Sequence, residues 1–254
     1  FKKRWTVGLS VGIITYNEEK NILKVIKAVE KIADEIIIVD SNSTDNTVDL
    51  VKKNGAQVFV ESWKGYGPQK NSVIEKCNQD WILLIDADEI VSEKLGERIF
   101  EIINSKPEFE VYEVNFTAVC FGKIIKHGGW SNHYRVRLFR RGSGLYNDRE
   151  VHEKFVTKSL SGKIKEELYH YTYDNITDYF DKMNRYTSEA ANYYKLNNKK
   201  KLFLIFYFDS IFKFFKMYII KLGFLDGYEG YLLAKLASIY VFIKYAKLKE
   251  KNEK

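Results

Sequence analysis

Short apolar runs separated by amphipathic stretches fill the first hundred residues. Val7, Leu9, Val11, Ile13 and Ile14 fall within residues 6–14, which read as a strand. Ile22, Leu23, Ile26, Val29 and Ile32 then recur at helical spacing across 18–33. Ile36-Ile37-Ile38-Val39 is a second buried strand, and 45–53 a short helix with Asp45 placed to cap it. Val58-Phe59-Val60 reads as a third strand, 68–78 as a helix and Trp81–Ile85 as a fourth strand. Strands alternating with helices at this spacing make βαβ units and an α/β, mostly parallel, Rossmann-like sheet flanked by helices. Beyond Pro107 the pattern changes: 110–119 and 134–140 alternate like strands of a mixed or antiparallel region. From about Thr177 the chain reads as a helical appendage.

In open parallel sheets, ligands bind beyond the carboxyl ends of the strands. Three polar clusters stand at those ends: Thr15-Tyr16-Asn17-Glu18, Asp40-Ser41-Asn42-Ser43 and Asp86-Ala87-Asp88. They are expected to share one crevice. Two carboxylates closing a buried strand are costly to desolvate unless a positive group sits among them. A divalent cation with hard oxygen ligands, Mg²⁺ or Mn²⁺ carrying a diphosphate, meets that demand. A plain surface turn is the competing reading. Asp86 and Asp88 are expected to do different work.

The run Thr15-Tyr16-Asn17-Glu18-Glu19, then Val39 through Thr47, then Asp86-Ala87-Asp88-Glu89, resembles the nucleotide-binding half of family 2 inverting glycosyltransferases of the GT-A fold. His127-Gly128-Gly129-Trp130, Arg137-Leu138-Phe139-Arg140, Val151-His152-Glu153 and Leu225-Asp226-Gly227 resemble the branch that holds bacterial lipopolysaccharide-core glucosyltransferases. The resemblance implies a catalytic domain over 1–175, with a nucleotide-binding half to about 105 and an acceptor half over 106–175, followed by a basic, aromatic-rich helical region over 176–254.

It also implies site roles. Asp40 would hold uracil; an Asx-turn with Ser41-Asn42-Ser43 is the other use of its carboxylate. Thr15, Asn17 and Glu18 would line the base and ribose pocket, although Asn17 equally suits a helix cap. Lys70 would stand near the donor diphosphate, Asp86 near the ribose or a metal-bound water, and Asp88 on the metal with His170 as a further ligand. An inverting transfer needs a base for the acceptor hydroxyl. Glu153 is the first candidate, with His152, Glu150 and Asp148 behind it. Trp130 and His127 would meet the acceptor sugar from a glycine loop, although Trp130 equally suits a core. Arg137 would contact the donor phosphate or an anionic acceptor.

Charge separates the two ends of the chain. The net charge is +7, yet residues 195–254 alone hold 13 lysines, no arginine and 5 acids, a balance of +8. Phe, Tyr and Ile crowd the same stretch, and its longest uncharged run is Leu236–Ile243. That is far short of the roughly 20 apolar residues a spanning helix needs. Basic amphipathic helices with aromatic faces suit an anionic membrane surface, or else pack inward and leave their lysines in water. Phosphate-backbone binding would be expected to use arginine as well, so no nucleic-acid partner is expected. Cys77 and Cys120 offer no disulfide framework. The expected protein is a cytoplasmic, peripheral enzyme on the inner face of the plasma membrane, moving a hexose such as glucose from a UDP-sugar to a lipid-linked or lipopolysaccharide glycan. A sugar nucleotidyltransferase, or a non-catalytic membrane-associated nucleotide-binding protein, is the alternative.

Overall fold

The computed structural model describes residues 7–148, 153–196 and 203–253. The strand and helix alternation of the first hundred residues forms as expected. The elements are β1 (Leu9–Thr15), α1 (Ile22–Val29), β2 (Glu35–Asp40), α2 (Thr47–Lys53), β3 (Gln57–Val60), α3 (Tyr66–Lys76) and β4 (Trp81–Asp86). Residues 89–104, assigned no element from sequence, form the short strand β5 (Glu89–Val91) and helix α4 (Glu93–Asn104). Ser92 caps α4, its Oγ accepting from Leu95 N at 3.2 Å. Then follow β6 (Val111–Cys120), β7 (Lys123–Ile125), β8 (Ser131–Arg140), β9 (Gly144–Tyr146), β10 (Phe155–Thr157), β11 (Ser161–Tyr173) and α5 (Ile176–Leu196). The chain ends in α6 (Phe203–Phe215), a π turn at Lys216–Ile220, a 3₁₀ turn at Gly223–Asp226 and α7 (Gly227–Glu253).

The main sheet runs β3-β2-β1-β4-β8-β6-β11-β5, with β7 on β6. β1 pairs in parallel with β2 on one side and β4 on the other. β8 is antiparallel to β4, and β5 to β11. Alternation along the strands divides the core. Leu9, Val11, Ile13, Trp81, Leu83 and Ile85 pack with α1 and α4. Ile14, Ile82 and Leu84 face the opposite way, onto Val73 and Ile74 of α3. Helix α3 lies so close to β1 that a Cβ on Gly12 would stand 2.4 Å from Val73 Cγ1.

α1 is shorter than its periodicity suggests. Asn17 takes a left-handed φ of 54°, so residues 16–21 loop outward before the helix starts at Ile22. That loop is tied to the next one. Glu18 N donates to Thr47 Oγ1 at 2.8 Å, and Glu19 N to Asp45 Oδ2 at 3.1 Å. Asp45 Oδ1 also accepts from Thr47 N, the first residue of α2, from one position ahead of the N-cap, which is Asn46 rather than Asp45.

Packing groups the described residues into two compact units. One holds the chain up to Phe116 together with His133–His170, and the other holds Thr117–Asn132 together with the chain from Tyr171. The hairpin over 117–132 therefore groups with the C-terminal helices, where sequence placed a single boundary near 175. Within this second unit α5 packs on α7 through Tyr179, Met183 and Leu236, and again through Ala191, Tyr245 and Leu248. Lys247 is not a free surface lysine. Its Nζ donates to Asn184 O, Thr187 Oγ1 and Ser188 Oγ of α5 at 2.8–2.9 Å. Among the described residues no helix is long and apolar enough to cross a membrane.

Candidate active site

Parallel pairing brings the three polar clusters to one edge of the first unit. Thr15 is in register with Asp40, and Ile14 with Asp86. Asp40 and Asp86 thus flank the end of β1 on either side.

Asp40 is fully buried, and Ser43 takes both its oxygens: Ser43 N donates to Oδ1 at 2.8 Å and Ser43 Oγ to Oδ2 at 2.5 Å. The Asx-turn therefore uses both oxygens, where one for the turn and one for a ligand was a sequence option. Lone pairs remain on each oxygen for a further donor. Asn17 is exposed and latches the loops together: its Oδ1 accepts from Thr44 N at 2.8 Å, and its N–H donates to Ser43 Oγ at 2.8 Å. It caps no helix. Glu18 is half-buried and accepts from Asn21 Nδ2 at 3.0 Å. Beside them Thr15 Oγ1 and Ser41 Oγ are buried without a hydrogen-bond partner among the described residues. Two orphaned hydroxyls at adjacent strand ends are costly unless a ligand meets them.

The centre of the site is an ion network that no motif spells out. Lys70 on α3 is only 2% exposed. Its Nζ stands 2.8 Å from Glu153 Oε1 and 3.3 Å from Asp86 Oδ1. Arg137, on β8 beyond the Leu83–Leu138 pair, is equally buried and donates to Asp86 Oδ2 at 2.8 Å and Glu89 Oε1 at 2.7 Å. Asp86 N closes the ring by donating to Glu89 Oε2 at 3.0 Å. Burial alone would raise the Asp86 carboxyl; Lys70 and Arg137 instead hold it well below the usual carboxylate range. Burial pushes Glu89 upward despite Arg137, and the neighbouring Asp86 charge adds to the rise. Burial would lower Lys70, and the charges of Asp86, Tyr146 and Glu153 together raise it instead.

Asp88 follows β4 in a turn and meets a different partner from Asp86. Its Oδ2 lies 3.1 Å from His170 Nε2, and both side chains are partly exposed. The β5–β11 pairing explains how residues 82 apart meet: His170 is the cross-strand partner of Glu89, next to Asp88. Burial would lower the His170 imidazole, and the hydrogen bond and charge of Asp88, with the charges of Glu89 and Asp86, together raise it instead. A carboxylate and an imidazole meeting at a partly open position suit a divalent cation that arrives with other oxygen ligands. Among the described residues no third His, Cys, Asp or Glu completes a protein-only metal site.

Several sequence assignments fall differently. The Arg137 guanidinium is buried on Asp86 and Glu89. Lys70 is no solvated helix lysine but the bridge between two carboxylates. Glu153 joins the site through that bridge; Glu150 and His152 lie outside the described residues, and Asp148 is exposed. Trp130 and His127 belong to the second unit. Trp130 packs edge-on against Tyr173 at 6.1 Å and contributes to that unit's core. His127 is held by Asp226, which accepts from His127 N at 2.7 Å and lies 3.1 Å from Nδ1. The roles of Glu89 and of Arg137 as a buried clamp were not read from sequence. Only the placement of Glu89 directly after the aspartates hinted at its part. Cys77 and Cys120 are buried free thiols, pushed up to about 12 by burial.

The family model for glycosyl transferase family 2 matches residues 10–160. A glycosyltransferase of Rickettsia felis, named as uncharacterized, is 32% identical over 260 residues, covering 95% of this chain and 89% of its own. The lipopolysaccharide core biosynthesis glycosyltransferase LpsC of Rhizobium meliloti is 30% identical over 251 residues, covering 96% of this chain and 93% of its own. Among solved structures, S. aureus TarS in complex with UDP covers 73% of this chain and 66% of its own, at 17% identity and a TM-score of 0.47. The mixed sheet with its flanking helices is the GT-A arrangement, and the chain belongs to glycosyl transferase family 2.

Proposed function

We propose that this glycosyltransferase moves a hexose, with glucose as first candidate, from a UDP-sugar to a hydroxyl of a lipopolysaccharide-core or other lipid-linked glycan, inverting the anomeric centre. The observation that carries this reading is the split role of Asp86 and Asp88. Asp86 is clamped by Lys70 and Arg137, while Asp88 stands partly exposed beside His170. A carboxylate fixed by buried cations supports a polar ligand with fixed geometry, and an open one supports a cation site. The name of the Rhizobium relative supports the acceptor class.

The uracil and ribose would be met by the unpaired hydroxyls of Thr15 and Ser41 and by the free lone pairs of Asp40. Asp88 and His170 would hold Mg²⁺ or Mn²⁺, which when bound supplies positive charge against the leaving diphosphate. Glu153 accepts the proton of the acceptor hydroxyl. The freed oxygen attacks the anomeric carbon on the side away from the diphosphate, the bond to the phosphate oxygen breaks, and UDP leaves with that electron pair. Lys70 keeps Glu153 and Asp86 within one hydrogen-bonded assembly, so the base is positioned relative to the donor side. A lipid-linked acceptor places the enzyme at the cytoplasmic membrane face.

The test is a panel of nucleotide sugars with manganese or magnesium, scored by released nucleotide and by thermal stabilisation of the protein. UDP release from UDP-glucose with a glycan acceptor is expected. Pyrophosphate as product would instead point to a nucleotidyltransferase, and no turnover with any nucleotide sugar would refute the reading.

A further inference from the structure

The second unit carries an apolar face that nothing in the described chain covers. Helix α6 and the π turn after it bury one side. Ser210 donates to Ser238 O at 2.8 Å, Phe214 stacks with Tyr218 and meets Tyr231 edge-on, and Met217 joins Ala234 and Ala237. The opposite side presents Phe208, Phe212, Phe215 and Ile219, spaced as one helical stripe and each at least 50% exposed. The turn that follows continues the face with Leu222, Phe224, Leu225 and Tyr228, exposed by 44–68%. Large contiguous exposed apolar patches mark interaction surfaces rather than ordinary solvent-facing sequence.

Charge identifies the partner. Lys213, Lys216 and Lys221 lie on this same segment, and no ion pair to them forms among the described residues. Burial, and then the charges of Lys221, Lys216 and Lys244, push the Lys213 ammonium below its ordinary value. The acids of the turn are engaged inward or sideways. Asp226 is buried on the backbone of Lys126 and His127, and Glu229 pairs with Lys123 at 2.8 Å. α6 itself carries Asp209, so three lysines stand against one further acid, and the face is apolar with an excess of positive charge. A second copy of the chain would bring the same lysine cluster against itself across a twofold axis. No described helix can span a bilayer, so the fitting occupant is the headgroup and upper acyl layer of a membrane.

We infer that the stripe Phe208–Ile219 of α6 and the π turn, together with the 222–228 turn, lies in the plane of an anionic lipid bilayer, with Lys213, Lys216 and Lys221 on the headgroups. This narrows the membrane contact to the α6 side of the unit, because much of α7 is core and Lys247 is bonded to α5. The inference does not depend on the sugar transferred or on the residue that acts as base. One further consequence concerns the loop over 123–130. Gly128 N donates to Lys221 O at 2.8 Å, and Asp226 holds His127, so the loop is built onto the inner side of the docking turn.

The full-length chain is tested by co-sedimentation with vesicles of phosphatidylcholine alone and of phosphatidylcholine with phosphatidylglycerol. Binding to the anionic vesicles, weakened by salt, is expected. Combined Phe212→Ser, Phe215→Ser and Ile219→Ser should reduce it more than about tenfold, and combined Lys213→Gln, Lys216→Gln and Lys221→Gln by a similar factor. Phe215→Trp keeps the apolar bulk; its emission should shift to the blue and be quenched by brominated lipid. Equal uptake by neutral vesicles, or anionic-vesicle binding unchanged in both triple variants, would overturn the inference. So would a dimer in solution that the apolar triple variant dissociates, without vesicle binding. UDP release in detergent-free solution, measured alongside, tells failure of docking from failure of the proposed reaction.

Discussion

Lys70 Nζ lies 2.8 Å from Glu153 Oε1, although the two residues are 83 positions apart. The same ammonium is 3.3 Å from Asp86 Oδ1 and is nearly sealed from water. One buried cation thus joins the carboxylate proposed as base to the first aspartate of the β4 motif. Lys70→Met removes it, leaving Glu153 without its cation and Asp86 with Arg137 alone. Breaking such a buried set by deleting one partner costs about 3–5 kcal/mol. Urea denaturation should show a loss of that size, and Lys70→Arg should recover part of it.

Glu153→Gln tests the assignment of the base. The amide can still accept from Lys70, so the fold and the affinity for UDP are expected to stay close to those of the parent. Turnover should fall by about 10²–10⁴, the usual contribution of a positioned base. A Glu153→Gln enzyme with parental turnover would move the role to His152, Glu150 or Asp148.

Asp88→Ala separates the two aspartates. Asp88 is partly exposed and hydrogen-bonded to an equally open His170, so its loss should cost little stability. Sugar transfer should disappear, and calorimetry should show weakened manganese-dependent UDP uptake. Asp86→Ala should behave otherwise, with a lower melting temperature, because it leaves Lys70 and Arg137 short of a partner. An active, folded Asp88→Ala protein would contradict the proposed mechanism.

Glu61 gives a pH dependence away from the site. Hydrogen bonds from Lys64, Lys76 and Ser72 hold its carboxyl down at about 2, against an ordinary 4.5. A carboxyl lowered on folding stabilises above its unfolded value and loses that contribution as pH falls through the folded one. The Glu61→Gln variant should therefore be less stable at neutral pH. The difference from the parent should shrink between about pH 4.5 and 2 in acid titrations followed by circular dichroism. Partial exposure of the partners keeps the effect modest.

Asp226→Ala should loosen the glycine loop of the second unit. Asp226 accepts from Lys126 N and His127 N, and removing it strands two donors at about 1–3 kcal/mol each if they stay buried. Hydrogen exchange at those two amides should accelerate, while amides of β1 and β4 remain protected.

The hydrophobic period by itself determined the β1–β4 half of the sheet. There β1, β2 and β4 are compact apolar runs buried on both faces, and α1 has a regular apolar stripe. The ends of those strands fixed which polar residues meet, because parallel pairing leaves them a single edge. The tertiary structure decided what no local pattern holds. Arg137 reaches Asp86, and Glu153 reaches Lys70, from strands and loops far along the chain, and His170 reaches Asp88 only because β11 pairs with β5. Composition flagged the basic, aromatic C-terminal region. Which of its faces is core and which is open depended on helix packing, where Ser210, Phe214 and Met217 turn inward and their neighbours one step around the helix do not. Local sequence sets the faces that an element has, but long-range contact chooses which of them is covered.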